Sequence, residues 1–253
     1  MGKLRAKTAV ITGGGGAIGR ATATLFAAEG ARVLLVDQDR EALEKAVATL
    51  GEEASWVAAD ITQPEQVQHY VQTALERYGG IDVFVNNAGI EGAVQPIPDY
   101  PIEVFDQVMA VNVRGAWLGL KYAIPAMQRD GGSIIITSSV SGIEGARGLS
   151  AYVASKHAVI GLMRTAALEC APLGIRVNTI NPAPLETRMM RALEEGLTPG
   201  KATRAREAIT AGIPLRRYGT PEEVARMMLF LATDDSRYCT GGVYMVDGGI
   251  SAG

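Results

Sequence analysis

Short apolar runs rich in β-branched residues alternate with longer stretches of helical period along the whole chain, and that alternation is the first thing the sequence specifies. The runs fall at Thr8 to Thr12, Val33 to Val36, Ala54 to Ala59, Ile81 to Val85, Ser133 to Thr137, Ile175 to Ile180 and Gly242 to Val246. Between them, helices are expected at Ile18 to Glu29, Arg40 to Leu50, Pro64 to Tyr78, Phe105 to Met127, Ser150 to Pro172 and Pro221 to Leu231. Strands that alternate with helices imply an α/β fold: a doubly wound, Rossmann-type parallel sheet of about seven strands with helices on both faces and right-handed crossovers. No linker interrupts the pattern, so residues 1–253 are expected to form one domain.

The polar residues at the ends of the strands carry the candidate chemistry. The first strand runs into Gly13 to Gly16 and then a helix, the context in which a backbone can approach a pyrophosphate and a helix N-terminus can offer free N–H groups. The second ends at Asp37, placed to accept hydrogen bonds from an adenosine ribose and to repel a 2′-phosphate, which favours NAD over NADP; capping of the next helix is the alternative, and both roles can coexist. The third leads to Asp60, the fourth to Asn86, Asn87, Ala88 and Gly89, the fifth to Ser139, and the sixth to Asn181 and Pro182. Ligands of such sheets bind at the carboxyl ends of the strands, so this convergence points to one site.

Tyr152 and Lys156 lie four positions apart in a helical stretch, which makes their side chains neighbours. An ammonium beside a phenol favours the phenolate, and a fall of about three pKa units corresponds to roughly 4 kcal/mol. Tyr152 then serves as an acid or base near neutrality, with the Ser139 hydroxyl holding a substrate oxygen. Asn112 stands inside an expected helix, where asparagine is unfavourable; a kink, a polar contact or simple solvent exposure each accounts for it. Leu185 to Leu215, with Met189, Met190, Leu193 and Leu197 among charges, is too long for a simple connection and reads as a lid over a pocket.

Composition narrows the classes of partner. A net charge of −3 with 47% hydrophobic and 20% charged residues describes a globular chain and gives no support to nucleic-acid or anionic-membrane binding. No apolar run approaches the ~18 residues that cross a bilayer, and the first residues turn into a strand without an apolar leader. Cys170 and Cys239 lack metal-ligand spacing and His69 and His157 are the only histidines, so no metal is expected and a reducing, cytoplasmic setting fits.

TGGGGAIG at 12–19, NNAG at 86–89, Asn112, Ser139 thirteen positions before Tyr152, YVASK at 152–156, the Asn181–Pro182 pair and TGGVYMVDGG at 240–249 together resemble the short-chain dehydrogenase/reductase family over essentially the whole chain. The resemblance implies an NAD(H)-dependent oxidoreductase acting between a secondary alcohol and a ketone, with Asn112, Ser139, Tyr152 and Lys156 as its catalytic set. Tyr152 would be the general acid/base, Lys156 would tune it and hold the nicotinamide ribose, and Asn112 would position a water in a proton relay. Gly13, Gly16, Ala17, Ile18 and Gly19 would surround the pyrophosphate, Asp37 the adenosine ribose, Asp60 and Ile61 the adenine. Asn87, Ala88, Gly89, Pro182, Leu185 and Thr187 would complete the cofactor site, Thr187 at the carboxamide. Similar proteins are commonly homotetramers.

Two positions depart from the family pattern: Ala17 and Ala183 replace usual glycines, so a slightly shifted loop and an altered lid or affinity are expected. The substrate pocket is expected to be lined by Ile90, Glu91, Ser141, Ile143, Glu144, Leu149, Met189 and Met190, a mostly apolar set suited to a neutral, hydrophobic small molecule. Reduction of 3-oxoacyl groups on an acidic carrier protein is the alternative, for which Arg129, Arg147 and Arg188 would form a basic rim. A dinucleotide sensor without chemistry is a third reading, but it has no need of Ser139, Tyr152 and Lys156 together.

Overall fold

The computed structural model describes residues 2–127 and 131–252; Arg129 of the expected basic rim lies outside the described residues. Its strands are β1 (Thr8–Thr12), β2 (Arg32–Asp37), β3 (Ala54–Ala58), β4 (Val83–Asn86), β5 (Gly132–Thr137), β6 (Ile175–Pro182) and β7 (Val243–Val246). All pair in parallel in the order β3-β2-β1-β4-β5-β6-β7, so the strand order reverses between β1 and β4. A crevice opens at such a reversal, outside the carboxyl ends of the strands.

Both faces of the sheet are covered, which is why β1 and β5 read as unbroken apolar runs rather than as alternating ones. Successive side chains still point to opposite faces. Val10, Ile134 and Ile136 join Tyr70 and Val71 of α3 (Pro64–Tyr78), Leu118 of α5 (Ala116–Met127) and Met163 of α6 (Ser150–Cys170). Ala9, Ile11 and Ile135 join Phe26 of α1 (Ala17–Ala28), Leu43 of α2 (Arg40–Val47) and Met228 of α9 (Pro221–Ala232).

Register places the chemistry. Thr12 lies opposite Val36, Ile11 opposite Val85, Ile136 opposite Asn86, and Thr137 opposite Ile180. The residues that follow each strand are therefore carried to one edge. β6 runs two residues past the expected Ile180 because Asn181 and Pro182 pair with Met245 and Val246 of β7, beyond the last pairing with β5. Pro182 has no N–H, and at that point β5 asks for none.

The long helix expected from Phe105 to Met127 is instead three pieces: α4 (Ile102–Met109), a π-helical turn (Ala110–Gly115) and α5. Within the expected lid, α7 (Arg188–Leu197) and α8 (Ala202–Gly212) form an excursion whose base is closed by pairing of Leu185 with Gly219. Among the described residues no helix is long and apolar enough to cross a membrane.

α5 approaches β4 closely at Gly119, where an added Cβ would stand 3.0 Å from both the Phe84 ring and the Asn86 amide nitrogen. Phe84 is fully buried and cannot yield. Gly119→Val is expected to destabilise the fold by roughly 1–3 kcal/mol through overpacking, read as a lowered urea midpoint at unchanged slope.

Candidate active site

The glycine loop after β1 is fixed by its own backbone. Gly14 donates to the Val36 carbonyl at 3.0 Å and Gly16 to the Gly13 carbonyl at 3.1 Å. Gly13 has φ +66°, and a Cβ there would stand 2.9 Å from the Ala88 Cα, while one on Gly19 would stand 2.2 Å from the Gly13 oxygen. No side chain is tolerated at either place. Gly16 caps α1 without a side-chain hydrogen bond, and the first turn holds no acid, so the N–H groups at Ala17, Ile18 and Gly19 are left without a capping side chain. Ala17 is the first helical residue and has no positive φ, so its backbone asks for no glycine.

Asp37 does not cap α2. That helix is capped by Asp39, which accepts from the Ala42 N–H at 3.0 Å. Asp37 instead closes on the glycine loop: its carboxylate accepts from the Gly15 N–H at 3.0 Å and from the Asp39 N–H at 3.1 Å. Asp60 is held at the end of β3 by accepting from the Thr62 N–H and hydroxyl at 2.9 and 2.8 Å. Ile61 beside it is buried against Gly115.

The β4 end is stitched to both neighbours. The N–H groups of Asn87 and Ala88 donate to the Thr12 hydroxyl at 2.9 and 3.1 Å. The Asn87 amide donates to the Thr12 carbonyl at 3.1 Å and accepts from the Thr137 hydroxyl at 3.1 Å. Gly89 has room for no side chain comfortably, since a Cβ would sit 3.2 Å from Asn112 Oδ1 and 3.4 Å from Lys156 Nζ.

Ser139, Tyr152 and Lys156 meet at the adjoining edge. Ser139 is buried; its hydroxyl accepts from the Ser141 N–H at 3.1 Å and points to the Pro182 carbonyl at 3.5 Å. Ser138 donates to the Lys156 carbonyl at 2.9 Å and pins α6 against the end of β5. Lys156 Nζ donates to the Thr137 carbonyl at 2.9 Å and lies 5.5 Å from the centre of the Tyr152 ring.

Asn112 is buried and sits in the π turn. Its carbonyl oxygen accepts from the Ile90 N–H at 2.8 Å, and its amide donates to the Ile90 carbonyl and the Ser155 hydroxyl, each at 2.9 Å. Ser155 in turn donates to the Tyr152 carbonyl at 2.7 Å. Of the three accounts open from sequence, the polar contact is the one realised, with a π turn rather than a Pro- or Gly-type kink; such turns gather at functional sites. Thr12, Ser138 and Ser155 were not legible as site residues. Their one signal is polarity inside apolar or helical stretches.

Electrostatics overturn one expectation. Burial pulls the Lys156 ammonium down to about 8, and burial is also the largest influence on the Tyr152 phenol, pushing it up. The hydrogen bond with Ser139 opposes that rise and the charge of Glu91 adds to it. Among the protein's own groups desolvation dominates at the phenol, and the lowering comes from Ser139 rather than from the Lys156 ammonium that the spacing led one to expect.

The residues expected to line a pocket differ in exposure. Leu149 is buried, Glu91, Ser141, Met189 and Met190 are half-buried, and Ile143 and Glu144 are exposed, as are Arg147 and Arg188. Thr187 caps α7, accepting from the Met190 N–H at 3.2 Å, and Leu185 is buried beside Gly219. Ala183 has no positive φ and donates to the Val246 carbonyl at 3.1 Å, so that position asks for no glycine. Val94, which sequence did not single out, wedges between Gly148 and Gly196 of α7. Among the described residues no cluster of three His, Cys, Asp or Glu side chains is placed to hold a metal ion.

A family model described as enoyl-(acyl carrier protein) reductase matches residues 15–251. The chain is 40% identical over 252 residues to levodione reductase of Leifsonia aquatica, covering 97% of this chain and 94% of that one. A solved levodione reductase structure superposes with a TM-score of 0.96 at 40% identity, covering 98% of this chain and 99% of the other. That of an NAD+-bound xylitol dehydrogenase gives 0.93 at 36% identity, covering 98% and 100%.

The buried ammonium makes stability depend on pH. Lys156 binds its proton near 10.5 when unfolded and near 8 when folded, so between these values the unfolded chain holds more protons and stability rises with pH. Below pH 8 the burial penalty is complete. Lys156→Met is expected to exceed wild type in unfolding free energy by up to about 3 kcal/mol at pH 7, the gap closing towards pH 10.5 in urea titrations.

Proposed function

The chain belongs to the short-chain dehydrogenase/reductase family of oxidoreductases, and from that premise we propose that it is an NAD(H)-dependent alcohol dehydrogenase or carbonyl reductase for a neutral, hydrophobic secondary alcohol or ketone. The observation that carries this reading is the meeting of Ser139, Tyr152 and Lys156 at the sheet edge that also presents an uncapped helix N-terminus behind a side-chain-free loop.

The cradle fits a dinucleotide. Gly13, Gly16, Ala17, Ile18 and Gly19 would hold the pyrophosphate, Asp37 the adenosine ribose, and Asp60 with Ile61 the adenine. Asn87, Ala88 and Gly89 border the middle of the crevice; Tyr152, Lys156, Pro182, Leu185 and Thr187 border its nicotinamide end. Bound NAD supplies the hydride acceptor, and NADH the donor. Arg40, the cation nearest Asp37 in sequence, lies 5.1 Å over the Trp56 ring and pairs with Glu44 at 3.1 Å. That engagement and the carboxylate at Asp37 together support a preference for NAD over a cofactor carrying a 2′-phosphate.

In alcohol oxidation Tyr152 takes the hydroxyl proton, and in ketone reduction it returns one. Ser139 steadies the substrate oxygen. Lys156 keeps one N–H on Thr137 and has two more to offer to the phenol and a ribose. Both amide hydrogens of Asn112 are taken, so its part in proton relay runs through the π turn it stabilises. The excursion from Leu185 to Leu215 serves as the lid, with Met189 and Met190 towards the pocket. A homotetramer belongs to the same reading, since the residues of β7 are half-buried and Trp117 and Leu168 are exposed.

Reduction of 3-oxoacyl groups on a carrier protein is the competing reading, supported by the likeness to a solved 3-ketoacyl-(acyl-carrier-protein) reductase from Brucella melitensis and by the exposed Arg147 and Arg188. A spectrophotometric screen of NADH consumption separates the two: turnover of free hydrophobic ketones supports the proposal, and turnover of carrier-bound 3-oxoacyl groups alone rejects it. Within that assay, Tyr152→Phe is expected to lower turnover by several orders of magnitude while NADH still binds; substantial residual turnover removes Tyr152 as the acid/base. Asp37→Ala is expected to raise relative use of NADP, and an unaltered NAD/NADP ratio of kcat/KM assigns the carboxylate to the loop alone.

A further inference from the structure

Glu91 is a half-buried acid with no cation to answer it. Among the described residues it makes no ion pair, and its carboxylate accepts no hydrogen bond. Its backbone is held from both sides. Ile90 before it is clamped at N–H and carbonyl by Asn112, at 2.8 and 2.9 Å. Gly92 after it has φ +74° and is packed so tightly that a Cβ would come within 2.6 Å of the Tyr100 hydroxyl and 2.7 Å of Val108. Ala93 donates to the same hydroxyl at 3.1 Å, and Gln95 pairs with Leu149.

The segment that carries Glu91 stands at the site: two residues earlier, a Cβ on Gly89 would lie 3.4 Å from Lys156 Nζ and 3.2 Å from Asn112 Oδ1, and the charge of Glu91 pushes the Tyr152 phenol up. The other groups acting there are Ser139 at the end of β5 and Lys156 on the next turn of α6. Leu149, Met189 and Met190, the apolar residues read as the pocket's lining, are buried or half-buried and donate no side-chain hydrogen bond. A carboxylate held in partly dry surroundings gains most from a hydroxyl donor and repels an anion.

We propose that Glu91 is a specificity-determining residue that accepts a hydrogen bond from a second hydroxyl on the substrate, so the preferred substrates are neutral diols or hydroxy ketones with a hydroxyl beside the reacting carbon. The inference rests on the alcohol dehydrogenase reading above and narrows its substrate class.

Cyclohexanol and cis-1,2-cyclohexanediol are matched probes, oxidised with NAD by wild type, Glu91→Gln and Glu91→Ala, each checked for an unchanged melting transition. Wild type is expected to favour the diol in kcat/KM by roughly tenfold to hundredfold, the range of a hydrogen bond to a charged group. Glu91→Ala should bring the ratio close to one, chiefly through KM for the diol, and Glu91→Gln should leave an intermediate ratio. Removing the negative charge should also move the acid limb of the cyclohexanol profile to lower pH in Glu91→Gln, since oxidation needs the phenolate. An active wild type whose diol preference survives Glu91→Ala, or which has none, overturns the assignment of Glu91 alone. A wild type inert towards both alcohols and their ketones overturns the dehydrogenase reading and this inference with it.

Discussion

A buried ammonium has to be held, and the hydrogen bonds that hold Lys156 run on into the rest of the site. Its Nζ donates to the Thr137 carbonyl, the Thr137 hydroxyl donates to Asn87, the Asn87 amide donates to the Thr12 carbonyl, and Thr12 leads into Gly13. That chain crosses β5, β4 and β1 at their carboxyl ends, where parallel strands stop pairing and their last polar groups need other partners. The same bonds that satisfy the strand ends thus fix the distance between Lys156 and the glycine loop. Desolvation of Lys156 costs stability, and the network is what keeps the group in place despite that cost.

Local spacing made the frame and half the site legible. A spacing of four positions from Tyr152 to Lys156 means one helix face in any helix, and a glycine run between strand and helix means an open N-terminus in any parallel sheet. Burial and partners are tertiary quantities, and the misses lie there. The Tyr152 phenol is pushed up by surroundings that no spacing reports. Asn112 looks like a flaw in a helix until Ile90, 22 residues earlier, supplies the backbone groups it satisfies. Asp37 and Asp39 are equally good caps by composition, and only the Gly15 N–H decides which one turns to the loop.

The two alanines in place of family glycines test how far a motif is geometry rather than spelling. A glycine is compulsory where φ is positive or where a Cβ would strike backbone, as at Gly13 and Gly19. Ala17 meets neither condition, because α1 begins there and its methyl group lies on an ordinary helical residue. Ala183 meets neither, because it continues the pairing of β6 with β7 through its N–H to Val246. Neither backbone conformation therefore demands a glycine. What the exchange does change is the unfolded chain: alanine has fewer conformations to lose than glycine, so at compatible positions it favours the folded state by roughly 0.4–1 kcal/mol each. In a protein that spends stability on a desolvated lysine, that small gain falls on the two segments flanking the crevice, where rigidity sets the geometry of whatever binds there.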